Sequence, residues 1–162
     1  IDDDLSDEAI RELIRDNYLR DSTVTILLIG TKTRKRKHVD WELYSSMFDG
    51  KVNKKSGVLV VNLPSVKCDY FTAAHEGEKE RIYPGITNWI SIESRAEYER
   101  RYPHMPARII DNLLEKNAKI SVVNWDKIIS NPGNLTFLID ATYDNRERCK
   151  YNLSRPMLRK NT

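Results

Sequence analysis

Long hydrophobic runs are missing from this chain. The longest, VTILLIG at residues 24–30, falls far short of the ~20 apolar residues that a membrane helix needs. No basic-then-apolar leader opens the sequence either, so we expect a soluble, cytoplasmic protein with no membrane contact. Cysteine is scarce: Cys68 and Cys149 stand far apart, with no C-x-x-C or Cys/His ligand spacing, which argues for reduced thiols and against a disulfide frame or structural zinc. Charge of one sign is also lacking. At +3 the balance does not announce a nucleic-acid binder, and acids and bases are interspersed except at TRKRKH and RPMLRKNT. An initiator Met is absent, and IDDDLSDE drops straight into a helix signal, so we expect that residue 1 is not the natural beginning.

What is present fits one folded domain. A length of 162 residues with 40% hydrophobic and 31% charged content can bury a single core, and no internal repeat or low-complexity run interrupts it. Ser6 followed by Asp7 and Glu8 is a helix start, after which Ile10, Leu13, Ile14 and Tyr18 share a face. TVTILLIG then reads as a strand apolar on both faces, expected at the centre of a sheet covered on both sides. A helix is predicted over His38 to Phe48, with Val39, Leu43 and Met47 inward, and GVLVVNLP is a second apolar strand ended by Pro64. Strand, helix, strand in this rhythm is a βαβ unit, so the class is α/β with a parallel sheet.

Residues 65–104 are polar, punctuated by Pro84-Gly85 and Pro103, and rich in aromatics; we expect an irregular insertion there, with TNWISI a candidate short strand and a short helix capped by Ser94. Pro106 suits the first turn of a helix bearing Ile109, Ile110, Leu113 and Leu114, and AKISVVNW is a third core strand. One helical turn is expected over Asp126 to Ile129, followed after Asn131-Pro132-Gly133 by a long helix capped by Asn134. Residues 1–150 then form the domain, and residues 151–162 a tail that lies over the surface or is disordered.

The candidate site begins where the first strand ends. Lys32 to Lys37 place five basic residues in six positions, ahead of HVDWEL. This run is either a solvated turn or a cradle for a pyrophosphate in which Arg34 and Arg36 fork onto phosphate oxygens near a helix N-terminus. Gly30 and Thr31, at the carboxyl end of the strand, are placed for backbone approach to a ligand. Glu42 is either a solvated helix glutamate or a reactive carboxylate, with Trp41 beside it able to desolvate it or stack on a ring. His38 reads as a surface or packing residue or as a base that titrates near neutrality.

The order of an amphipathic helix, D-S-T-V-T-I-L-L-I-G-T-x-T, a basic turn and H-V-D-W-E-L resembles the TIR-like domains of Thoeris antiphage defence proteins. The resemblance covers residues 6–62 well and returns faintly over 119–145. It implies a flavodoxin-like fold, a parallel sheet with helices on both faces, whose N-terminal strand is missing from this chain. It further implies NAD as substrate with no separate cofactor or metal: the nicotinamide–ribose bond is cleaved, the ADP-ribose product is released or cyclised, and Glu42 is the catalytic carboxylate. Gly30, Thr31, Arg34, Arg36, His38 and Trp41 are the candidate nucleotide-lining residues, and by the resemblance His38 stands where many members carry Trp. The implied partners are NAD or a related nucleotide and a second TIR-like or effector chain. The alternative is a TIR-like module that only assembles and consumes no nucleotide.

Overall fold

A computed structural model describes residues 1–162. Its centre is a three-stranded parallel sheet in the order β1-β2-β3, with β1 Val24–Ile29, β2 Gly57–Asn62 and β3 Ser121–Asn124. The register pairs Val24 with Gly57 and Leu59 with Ser121. This is the predicted α/β class. β3's outer side is closed at one point, where Thr72 and Val122 exchange both backbone hydrogen bonds at 2.9 Å.

The helices follow the apolar periodicity of the chain. Helix α1, Asp7–Asn17, starts at Ser6, whose hydroxyl accepts from Ala9 N at 3.2 Å. A short turn at Thr33–Lys35 leads into α2, Lys37–Met47. Between β2 and β3 come α3 Glu78–Ile82, α4 Arg95–Arg101 and α5 Ala107–Leu113; α6 Trp125–Ser130 and α7 Gly133–Asn145 follow β3. Ser94 caps α4 as expected, accepting from Glu97 N at 3.2 Å. The cap ahead of α7 differs from expectation. Asn131 Oδ1 accepts from Gly133 N at 3.0 Å, while Asn134 lies inside the helix and donates to Lys127 O at 2.9 Å.

Two layers enclose the sheet. Leu27, Ile29, Val58, Val60 and Val122 face α2 and α5 through Leu43, Met47, Ile109 and Ile110. Leu59, Val61 and Val123 face the opposite way, onto Ile82, Ile128 and Leu138. Every residue of β2 is buried, as a strand in the middle of a covered parallel sheet must be. At Gly57 the α7 backbone comes so close that a Cβ would lie 2.5 Å from Thr142 O.

Two expectations are corrected. β1 is an edge strand, not a central one: α7 lies chiefly over β2 and leaves Ile26 41% and Leu28 47% exposed. The apolar run reported that both faces can be buried, but the chain fills only one of them. Residues 87–92 carry no strand, because Trp89 is spent on an aromatic cluster, 5.5 Å from Phe71 and 5.6 Å from Tyr83 between ring centres. The last residues are firmly seated over the surface: Met157 is buried with Ile10, Ile14 and Trp41, and Arg155 forks onto Asp111 at 2.7 and 3.0 Å.

Candidate functional site

In an open parallel sheet, ligands sit beyond the carboxyl ends of the strands. At that end β2 and β3 finish in Asn62 and Asn124, whose side chains join through Asn62 Nδ2 and Asn124 Oδ1 at 2.9 Å. Asn124 Nδ2 then donates to Tyr70 O at 3.1 Å, pinning the loop after β2 across the strand ends. Above this pair opens a crevice of about 620 Å³, walled by Pro64, Lys67, Cys68 and Asp69 on one side and by Trp125 and Asp126 on the other. A second, smaller recess of about 190 Å³ shares Asn62 and reaches Ile29, Arg100 and His104. Lys67 has left-handed backbone at φ 48°, which turns the chain so that Cys68 faces this recess. Burial raises the Cys68 thiol, so it is held as the neutral form.

The residues singled out from sequence fall into three places. Gly30 sits half-buried at the end of β1, its N–H donating to Thr33 Oγ1 at 2.8 Å, and Thr31 is exposed beside it. Arg34 and Arg36 are brought together at a cavity of about 140 Å³, which Arg108, Pro106 and the tail residue Leu158 also line. Arg34 donates to Pro103 O at 2.6 Å, so part of its guanidinium is engaged by the protein itself. The N-terminus of α2 is likewise occupied, because Lys37 N donates to Asn161 Oδ1 at 2.9 Å.

Trp41 is turned into the interior. It is fully buried against Ile10, Ile14 and Met157, and its Nε1 donates to Leu158 O at 2.7 Å. The tail covers the indole in this arrangement. His38 is exposed and stacks on the indole with ring centres 4.8 Å apart, so it shields Trp41 from solvent. Glu42 lies in the second turn of α2, exposed, with no hydrogen bond or ion pair to another residue. It lines none of the five principal cavities. Within one chain it is a solvent-facing carboxylate.

Residues 1–68 match the family described as Thoeris protein ThsB, TIR-like domain. The match supports a Thoeris-type TIR-like domain. It runs from α1 through β1, α2 and β2 to the start of the crevice loop, and so includes Glu42 and the basic turn. No curated protein and no solved structure matches the chain. The parallel sheet with helices on both faces agrees with a TIR-like, flavodoxin-like architecture, and the family supports a role in antiphage defence signalling. No helix of the chain is long and apolar enough to cross a membrane. No group of three His, Cys, Asp or Glu side chains is placed to hold a metal ion.

Sequence reasoning missed Asn62, Lys67, Cys68 and Asp69 as crevice residues. Pro64 was the available signal, since it ends β2 abruptly and forces the turn that builds the wall. The pairing of Asn62 with Asn124 had no local signal, because 62 positions separate the two residues.

Proposed function

We propose that this chain serves antiphage defence signalling as an assembling TIR-like domain, with a second copy docking along β1. One observation carries the reading: β1 ends the sheet with its outer backbone edge unpaired, and Ile26 and Leu28 lie exposed side by side on its uncovered face. No strand lies along this edge, where Ser22 Oγ and Thr33 Oγ1 reach Val24 O and Leu28 O only at 3.4 Å, and an edge of that kind bordered by apolar side chains is a template for pairing with another chain. Sedimentation of the full chain over a wide concentration range tests this. Concentration-dependent association that is lost in Ile26→Lys and Leu28→Lys is expected, and a monomer throughout would overturn it.

A second reading, cleavage of NAD at Glu42, rests on the place of that carboxylate in the family-matched segment and on its freedom from protein partners, which leaves it available to a ligand. In that reaction the bond between ribose C1′ and the pyridinium nitrogen breaks, and its electron pair leaves with nicotinamide. The ribose acquires oxocarbenium character, which a nearby carboxylate stabilises before a water or hydroxyl oxygen attacks and sheds its proton. A carboxylate in bulk water does this poorly, since its field is screened. Catalysis therefore depends on a second surface closing over α2, and the two readings describe one assembly. Incubation of the assembled protein with NAD tests it: nicotinamide release that disappears in Glu42→Gln supports the reading, and undiminished release in that variant removes it.

A further inference from the structure

At the opposite end of the sheet, where β1 and β2 begin, lies a cavity of about 470 Å³ whose lining is polar except for Val52. Five cations and three carboxylates face it. Two of the cations have partners: Lys55 pairs with Asp49 at 3.5 Å, and Arg146 pairs with Glu147 at 3.7 Å. Arg146 also donates to Tyr143 O at 2.8 Å, the ordinary work of an arginine at a helix C-terminus.

Arg15 does none of this. It is only 4% exposed, yet no carboxylate lies within ion-pairing distance and no backbone carbonyl accepts from it. Its one hydrogen bond runs from Nη1 to Ser56 Oγ at 3.4 Å, and its buried Nε has no partner at all. A guanidinium offers five N–H donors in a planar fork, and burying it unpaired is unfavourable. Burial accordingly lowers its affinity for its proton, with the charge of Asp49 only partly opposing the effect. Arg20 and Lys54, both exposed at the rim, also lack ion-pair partners. The side chains around Arg15 therefore form an anion site with its anchor in place and its counter-charge not supplied by the protein.

We propose that this cavity binds a phosphate-bearing small molecule, with Arg15 forking onto two phosphate oxygens and Arg20 and Lys54 closing from the rim. Phosphate matches the fork in shape and charge, which a chloride ion does not. The volume suits a ligand of nucleotide size, and the near-absence of apolar lining selects the charged part of such a ligand over a greasy ring. The site is separate from Glu42 and from the crevice above Asn62 and Asn124, so it stands or falls apart from the reading of the function given above.

The test is calorimetric titration of the full chain with inorganic phosphate and with AMP, at an ionic strength fixed with sodium chloride. Saturable binding of at least one of the two is expected, weakened about tenfold in Arg15→Lys, which keeps the charge and loses the fork. The rim variants Arg20→Ala and Lys54→Ala, which disturb no packing, should each weaken binding several-fold while melting as wild type. Tighter binding of AMP assigns the site to a nucleotide and tighter binding of phosphate assigns it to the free anion; both support the proposal. No saturable heat with either ligand, or equal affinity in all three variants, overturns it.

Discussion

Arg108 and Asp40 are joined fork to fork inside the protein, Nε to Oδ1 at 2.7 Å and Nη2 to Oδ2 at 3.0 Å. The pair also ties down the chain's end, because Arg108 donates to the carbonyls of Arg155 and Pro156, at 2.8 and 3.2 Å, while Leu158 N donates to Asp40 Oδ2 at 2.9 Å. Helix α2, helix α5 and the tail therefore meet on two side chains.

Asp40→Ala leaves a fully buried guanidinium without its counter-ion, and losing one member of such a pair costs about 3–5 kcal/mol. A lower urea midpoint is the expected result. Trypsin should also cleave after Arg159 and Lys160 earlier than in wild type, since the tail loses its anchor. A variant with wild-type stability and an uncut tail would contradict this role.

Gly57→Ala places a methyl group 2.5 Å from Thr142 O and 2.6 Å from Thr142 Cγ2, contacts that neither β2 nor α7 can relieve without moving. Overpacking of this kind costs about 1–3 kcal/mol. Thermal melting should show the loss, and Thr142→Ser in the same background should recover only the part due to the side-chain methyl.

A buried polar cluster under α7 sets opposing pH dependences. Glu78 accepts from Ser121 Oγ at 2.5 Å, and His75 meets Asn145 Nδ2 at 2.9 Å. Burial raises the Glu78 carboxyl to about 7 from 4.5, so its contribution to stability is complete below about 4.5 and is lost as pH rises through about 7. Burial, with Lys119 adding to it, lowers the His75 imidazole to about 4 from 6.5, so its contribution is complete above about 6.5 and is lost as pH falls through about 4. Between those limits the two slopes oppose each other. Relative to wild type, Glu78→Gln should gain stability as pH rises from about 4.5 to 6.5, and His75→Gln should lose it over the same window. Melting temperatures measured against pH for the three proteins check the signs, and parallel curves would refute the assignment.

Glu42→Gln should melt within about 0.5 kcal/mol of wild type, as expected for an exposed side chain without partners. Any loss of nicotinamide release from NAD in this variant is then a loss of chemistry and not of fold, which separates the carboxylate's role from scaffolding.

How much could be read in advance depended on the range of the interaction. The Ser6 and Ser94 caps, the three strands and the helix carrying Leu43 and Met47 follow from spacings of a few residues, and all are present. Trp41 could not be placed that way. In the sequence it stands next to Glu42 and a basic run, but its environment is set by Met157 and Leu158, more than a hundred positions later. The crevice was similarly hidden, since Asn62 and Asn124 become neighbours only when β2 and β3 pair.

The sequence by itself determined the α/β class, the order of its elements and the TIR-like character of its first part, because hydrophobic period, caps and turn residues act over one or two helical turns. Only the tertiary structure decided which faces those elements bury. It left Ile26 and Leu28 open on an edge strand, drew Trp41 under the tail, set Glu42 in solvent and shut Arg15 away without a counter-ion. Each of these depends on which distant segment arrives to cover a surface, and that choice is made by packing across the whole chain.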